Sequence, residues 1–382
     1  MKIKLGDFLR EICIKTVVNN EYPVLTSSKN GIYLQSEYFN KQVASKDNTG
    51  YKIIKKGQFT YRAMSDTGEF YPNMLKCVDI GIVSPAYPVF EITNRDIIYP
   101  QYLQYFFRSN TFRYNISGLE QGSTRTSIKF NKMKNIKIKL PSLLEQKKVI
   151  MILDRVGSLI FKRQEQLKYF DELTKSLFIE MFGDPVENPK KWNISTLLTL
   201  GSCKNGMNFH IDDFGVEINC IGVGDFKDYD VISNTHSLPI VSLNSMPTED
   251  YLLKDEDIVF VRSNGNKTMV GRSIVIYPGK NLVTFSGFCI RYRNEDSSIM
   301  VPYLLRVLKT ESIRMQMYGR GANIQNLNQK ILASLKIPIP PMNLQEKFVQ
   351  SVSSIDKSKL AVKKSLEELE ILKKSLMQKY FA

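Results

Sequence analysis

The sequence predicts an α+β chain organised as a pseudo-two-fold tandem repeat, with two mixed α/β globular domains and two long helices paired antiparallel as a coiled coil. Three observations predict it. From Ser142 to Phe182 the chain contains no proline and one internal glycine, Gly157, while apolar residues step in threes and fours: Val149, Leu153, Val156, Ile160, Leu167, Phe170, Leu177 and Met181. Only Arg163 and Thr174 interrupt that seam, which is the a/d pattern of a coiled coil. A constant shift of 199 residues then reproduces it as Phe348, Val352, Ile355, Val362, Leu366, Leu369, Leu376 and Tyr380, with Lys359 and Lys373 as interruptions. The register carries other residues too: Pro141 onto Pro340, Gln146 onto Gln345, Lys175-Ser176-Leu177 onto Lys374-Ser375-Leu376, Gly122 onto Gly321 and Lys137 onto Lys336. Finally, 382 residues with 43% hydrophobic and 11% aromatic content suffice for two or three domains with proper cores.

Along the chain, residues 1–141 form the first globular domain. Short β-prone runs (Tyr51-Lys52-Ile53-Ile54, Gly81-Ile82-Val83, Val89-Phe90-Glu91-Ile92) lie between turn signals at Asn30-Gly31 and Thr67-Gly68. Pro100 opens a helix at Gln101–Phe107, and the alternating Ile136-Lys137-Ile138-Lys139-Leu140 is a strand leading to Pro141. The first long helix spans 142–182, and Gly183, Pro185 and Pro189 end it in a linker over 183–191. The second globular domain, 192–340, echoes the first with a strand at Asp257–Val261, a tight turn at Ser263–Asn266 and a helix start at Pro302–Leu305. The second long helix occupies 341–382. A large folded segment joins the helices, which favours an antiparallel pair through Leu153, Ile160, Leu167, Phe170 and Leu177 against Val352, Ile355, Leu366, Leu369 and Leu376. The same seams would also serve separate partners.

The 53 Lys+Arg against 38 Asp+Glu leave a net charge of +15, which suits a polyanion. No apolar run reaches spanning length and the first residues do not resemble a signal peptide, so nucleic acid is preferred to a membrane. Five cysteines without a Cys-x-x-Cys pair are expected as small buried hydrophobes in a reducing cytoplasm, with neither a disulfide framework nor a zinc ribbon. Enzyme signals are scarce. The nearest fragment to a phosphate loop, Gly279-Lys280-Asn281, lacks the earlier glycine and the hydroxyl, and two histidines, His210 and His236, exclude a histidine-rich metal site. Asp184, Glu187 and Lys190 resemble nuclease residues by type but lie in a proline-broken linker. No catalytic residue and no metal site is therefore assigned.

Binding signals cluster on turns. Arg262-Ser263-Asn264-Gly265-Asn266-Lys267 places a guanidinium fork, two amides and a lysine directly after a strand, with Arg272 close behind. Arginine and asparagine can pair bidentately with base edges, and lysine and hydroxyls suit phosphates. Lys29 and Asn30, Tyr61 and Arg62, and Ser123, Thr124, Arg125 and Thr126 have similar composition in the first domain, and Arg320 and Asn323 flank Gly321 in the second. Singly, each reads as a solvated polar turn. Together, on both repeats of a basic chain, they point to DNA.

The whole chain resembles the specificity subunit of a type I restriction–modification system. The resemblance rests on Ser28-Lys29-Asn30-Gly31-Ile32, Gly57-Gln58-Phe59, Gly81–Phe90, Asp257–Gly265 and Val270-Gly271-Arg272, and above all on Glu145-Gln146-Lys147-Lys148 and Leu344-Gln345-Glu346-Lys347 at the two helix starts. It implies two target-recognition domains, each reading half of a split DNA sequence, separated by the helix pair. It also implies two adenine methyltransferase subunits using S-adenosylmethionine and motor–nuclease subunits using ATP and magnesium, with no cofactor held by this chain. The first domain lacks the lead-in that precedes the second at Lys191-Trp192, so its N-terminal edge is expected to be truncated or differently closed. Two alternatives stay open: a specificity subunit serving methylation only, and a self-sufficient DNA-modifying enzyme.

Overall fold

A computed structural model describes residues 2–39, 46–117, 126–210, 212–226, 230–317 and 326–382. The long helices run from Leu143 to Phe182 and from Met342 to Phe381, each 40 residues. The first opens with a capping box. Ser142 donates its N–H and Oγ–H to Glu145 Oε2 at 2.9 and 2.8 Å, and Glu145 N–H returns to Ser142 Oγ. It stops at Gly183, whose φ of +76° suits the left-handed helix stop and whose Cβ would strike the Pro189 ring.

The chain divides into two compact units, and each draws on both helices. Unit 1 comprises Met1–Glu165 with Val362–Ala382, and unit 2 comprises Gln166–Ala361. In unit 1 the start of the first helix meets the end of the second: Val149 and Leu153 share a core with Phe381, flanked by Leu376, Met377 and Tyr380. In unit 2 the end of the first meets the start of the second, through Phe178, Phe182, Phe348 and Val352. Opposite ends meet in both units, so the helices are antiparallel, as expected. Burying each such ring is worth about 1.5–3 kcal/mol. Ile160, Leu167, Phe170, Ile355, Leu366 and Leu369 are only half-buried.

The seam differs in phase from the heptad reading near the end of the first helix. Phe178 and Phe182 are buried there, and Leu177 and Met181 flank them. The buried line runs Thr174, Phe178, Phe182 in steps of four, continuing from the half-buried Phe170, because 3.6 residues per turn drift from a strict seven-residue repeat. Thr174 is tolerated in it because its hydroxyl donates to Phe170 O at 3.0 Å.

Unit 1 carries a four-stranded antiparallel sheet in the order Leu9–Ile12, Val89–Ile92, Phe59–Thr60, Asn73–Met74. Unit 2 carries a five-stranded sheet ordered Gly201–Asn205, Cys289–Asn294, Asp257–Val261, Ser273–Ile276, Val231–Ile232, whose first four strands repeat that order. The duplication therefore extends into the globular parts, where sequence similarity is weakest. Unit 2 adds a three-stranded sheet of Ile240–Leu243, Val216–Ile221 and Val283–Phe285.

The N-terminal edge corrects an expectation. Lys2–Lys4 pairs antiparallel with Lys137–Lys139 just as Asn193–Thr196 pairs with Lys336–Ile339, so both edges close alike. Trp192 belongs instead to the linker, where its indole Nε1 donates to Phe182 O at 3.2 Å and caps the first long helix. Asp184 builds the same linker by accepting from Val186 N and Glu187 N, a turn-forming role.

The repeated glutamines explain the most distinctive motif. Gln146 is fully buried; its Nε2 donates to Ile97 O and Pro141 O and its Oε1 accepts from Tyr99 N, at 2.8–3.0 Å. Gln345 is equally buried and does the same with Ser298 O, Pro340 O and Met300 N. Each glutamine thereby fastens a long helix to the N-terminus of a shorter one, Pro100–Phe106 or Val301–Lys309.

Candidate nucleic-acid interface

In unit 2 the loop after Asp257–Val261 is folded back onto that strand. Val261 N donates to Arg272 O and Gly271 N to Val261 O, at 2.9 and 2.8 Å. Gly271 has φ +72°, and a Cβ there would press on Met317 at 2.9 Å, so the motif glycine is a packing requirement. Asp257, almost fully buried, anchors the strand's start through a bidentate pair with Arg293 at 2.7 and 2.8 Å.

The loop brings Arg262, Ser263, Asn264, Asn266 and Lys267 together at the strand end. Arg262 is half-buried, with its main chain held by Phe288 O and Leu327 N and its guanidinium 3.4 Å from Gly287 O. The asparagines shape the turn. Asn264 Oδ1 accepts from Asn266 N, and Asn266 Oδ1 accepts from both Thr268 N and Thr268 Oγ1. Asn266 is exposed on the turn, and its Oδ1 already serves this cap. Arg272 turns the other way, towards Phe226 O at 3.4 Å. Phe288, whose carbonyl holds Arg262, is 62% exposed and adds an apolar group to the same rim.

In unit 1, Lys29 and Asn30 are exposed at the tip of the hairpin Leu25–Ser28/Gly31–Leu34. Tyr61 is a correction. It is fully buried against Phe90, with its hydroxyl donating to Ile128 O at 3.1 Å, because it points to the same core as Phe59. Arg62 is exposed and 4.0 Å from Asp66, and Thr126 donates its hydroxyl to Ser65 O. Ser123, Thr124, Arg125, Arg320 and Asn323 lie outside the described residues.

Sequence reasoning missed Arg108 and Arg113. Together with Lys29 they converge on the Tyr71 ring, at 5.1, 5.8 and 5.8 Å from its centroid. Arg108 also donates to Asn73 Oδ1, and burial pushes its guanidinium down to about 10. A signal was present in the aromatic-interleaved arginines of Phe106-Phe107-Arg108 and Phe112-Arg113-Tyr114. Arg108 and Arg113 line a cleft of about 1400 Å³ that also includes Lys373 and Lys374 of the second long helix.

Among the described residues no group of three or more His, Cys, Asp or Glu is placed to hold a metal ion, and no helix is long and apolar enough to cross a membrane. All five cysteines are free; Cys13 and Cys77 are exposed, unlike the buried residues expected. Burial pushes the thiols of Cys203, Cys220 and Cys289 up to about 12.

A family model described as the type I restriction modification DNA specificity domain matches residues 3–169 and again 190–371. The chain belongs to that family. This specificity chain is 25% identical over 305 residues to the type I restriction enzyme StySPI specificity subunit of Salmonella potsdam, covering 74% of itself and 65% of that protein. It thus spans just under two thirds of that relative's length. Among solved structures, a type I S subunit from M. genitalium covers 100% of the chain at 15% identity with a TM-score of 0.56. A chain from a structure on complex assembly and conformational transition of the type I R-M system also covers 100%, at 18% identity and a TM-score of 0.64. Those likenesses show a shared fold.

Proposed function

We propose that the chain is the DNA-recognition subunit of a type I restriction–modification complex, each globular domain reading one half of a bipartite target. The observation that carries this reading is the duplicated scaffold with unlike charged surfaces. Both units share a strand order and a glutamine-fastened helix start, yet one presents the Arg262 loop and the other the cations around Tyr71. A common frame with two surfaces suits a target in two different parts. On this reading the long helices act as a ruler for the unread gap and dock two adenine methyltransferase subunits that carry S-adenosylmethionine. Motor–nuclease subunits would bring ATP and magnesium, and chemistry would reside in these partners, in the cytoplasm.

The test is methylome mapping of cells expressing the chain with its methyltransferase partner, wild type against Arg262→Ala. Arg262 sits half-buried at the strand end with its main chain held by Phe288 O and Leu327 N. Its loss is expected to weaken one half-site by about 1–3 kcal/mol and relax its sequence, leaving the other intact. Equal weakening of both halves would remove Arg262 from base reading, and the absence of any bipartite methylation would remove the function.

A further inference from the structure

The internal repeat supplies its own control for one charged site. Helices Pro100–Phe106 and Val301–Lys309 are equivalent, since each begins at an N–H held by a buried glutamine, on Tyr99 or Met300. Each is followed by a hydroxyl that donates to the carbonyl three residues earlier at 2.7 Å, Ser109 to Phe106 O and Thr310 to Val307 O. The residue just before that hydroxyl is a cation in both units: Arg108 in the first, Lys309 in the second. In unit 2 the chain answers it with a carboxylate, for Lys309 pairs with Asp230. In unit 1 no carboxylate pairs with Arg108 among the described residues, and its buried Nη1 has no hydrogen-bond partner among them. A buried donor left unanswered is costly, and a guanidinium presents a planar fork that matches an oxyanion.

The surroundings select which oxyanion. Arg108 faces a cleft of about 1400 Å³, far larger than one side chain needs. Arg113, Lys373 and Lys374 line it with Arg108, against the acids Asp154 and Glu370, and Asp154 already accepts from Tyr105. Several cations spread along an open cleft suit a run of phosphates better than a single carboxylate. We propose that the cleft in unit 1 binds the phosphate backbone of DNA, with Arg108 occupied by a phosphate where unit 2 uses its own Asp230. This rests on the proposed DNA-recognition function and extends it. It makes Lys373 and Lys374 of the second long helix DNA contacts, and it makes the two units unequal in their grip on the backbone.

The experiment measures binding of the full chain to a duplex of arbitrary sequence across salt concentrations, for wild type, Arg108→Met, Lys374→Gln and Lys309→Met. Each lost phosphate contact should reduce the slope of log K against log salt by about 0.9. Arg108→Met and Lys374→Gln are expected to lower it by about that much, while Lys309→Met keeps the wild-type slope and loses thermal stability. Lys374 is exposed, so its variant carries the test alone if Arg108→Met fails to fold. Wild-type slopes in the folded variants would overturn the proposal. Melting temperatures in inorganic phosphate and in poly-glutamate, at matched ionic strength, identify the anion. Stabilisation by phosphate that disappears in Arg108→Met supports it, and a larger Arg108-dependent shift with poly-glutamate would overturn it in favour of a protein carboxylate. A wild-type chain that binds no DNA would overturn both readings. An Arg108-dependent phosphate shift would then show that the anion site exists and that its occupant was misassigned.

Discussion

Asp230 accepts from Lys309 and, at 3.0 Å, from Arg306, and Arg306 lies 3.9 Å from Asp356 on the second long helix. Burial alone would raise its pKa, but Lys309 and Arg306 outweigh that and hold it at about 2, against 3.8 when unperturbed. A depressed carboxylate stabilises the fold above its unfolded pKa and loses that contribution as pH falls through its folded one. The shift would correspond to roughly 2.5 kcal/mol at full burial. The Asp230 side chain keeps 44% exposure, and solvent screening reduces this to about 1 kcal/mol. Urea unfolding of Asp230→Asn against wild type should show that loss at neutral pH, with the difference shrinking below about pH 4. A difference independent of pH would mean that shape, and not charge, holds this contact.

The long helices show why a motif of polar residues can be structural. Gln146 and Gln345 spend the carbonyl and one amide donor on main-chain groups at a neighbouring helix start, and the other donor on Pro141 O or Pro340 O just before their own helix. Removing one side chain leaves a buried N–H and carbonyls unanswered, at about 1–3 kcal/mol for each group stranded. Gln146→Ala or Gln345→Ala is therefore expected to cost about 3 kcal/mol in chemical denaturation, and Gln→Glu to be no rescue because it loses the donors. A loss under about 1 kcal/mol would show that water replaces the amide. The seam's interruptions also have uses. Lys359 reaches Asp171 at 2.6 Å and ties the two helices together in unit 2, whereas Lys373 lines the basic cleft of unit 1.

In the assembled chain, helices that set the unread gap should change it when their length changes, with both reading surfaces untouched. Forty residues rise roughly 60 Å at 1.5 Å each, enough to bridge half-sites about one DNA turn, ~34 Å, apart. The seam is only half-buried at Ile160 and Leu167, where an inserted turn disturbs the core less than beside Leu153 or Phe178. Inserting four residues there, about 6 Å of rise, should lengthen the unread spacer by one or two base pairs in a methylation map, with both half-site sequences unchanged. An active insertion variant with an unaltered spacer would remove the ruler role.

The long helices and their repeat were legible in the sequence by itself, because a seam at helical spacing and a glycine stop are local patterns that need no partner to be read. The same holds for the strand Asp257–Val261, whose five residues match the expected bounds. What the turns do was only partly legible. Arg262 stands at the expected strand end and Asn266 caps the turn after it, but Tyr61 belongs to the core. The shared strand order was hidden because the central strands must be apolar in both units, and many apolar sequences satisfy one order of pairing. Arg108 and Asp230 were hidden for a different reason. Arg108 meets Asn73 across 35 residues and Asp230 meets Lys309 across 79, so their surroundings come from chain folding between distant segments. Periodicity tells which face of an element is buried; which charge lies opposite another, and whether it is answered, is decided only when the sheets and helices pack.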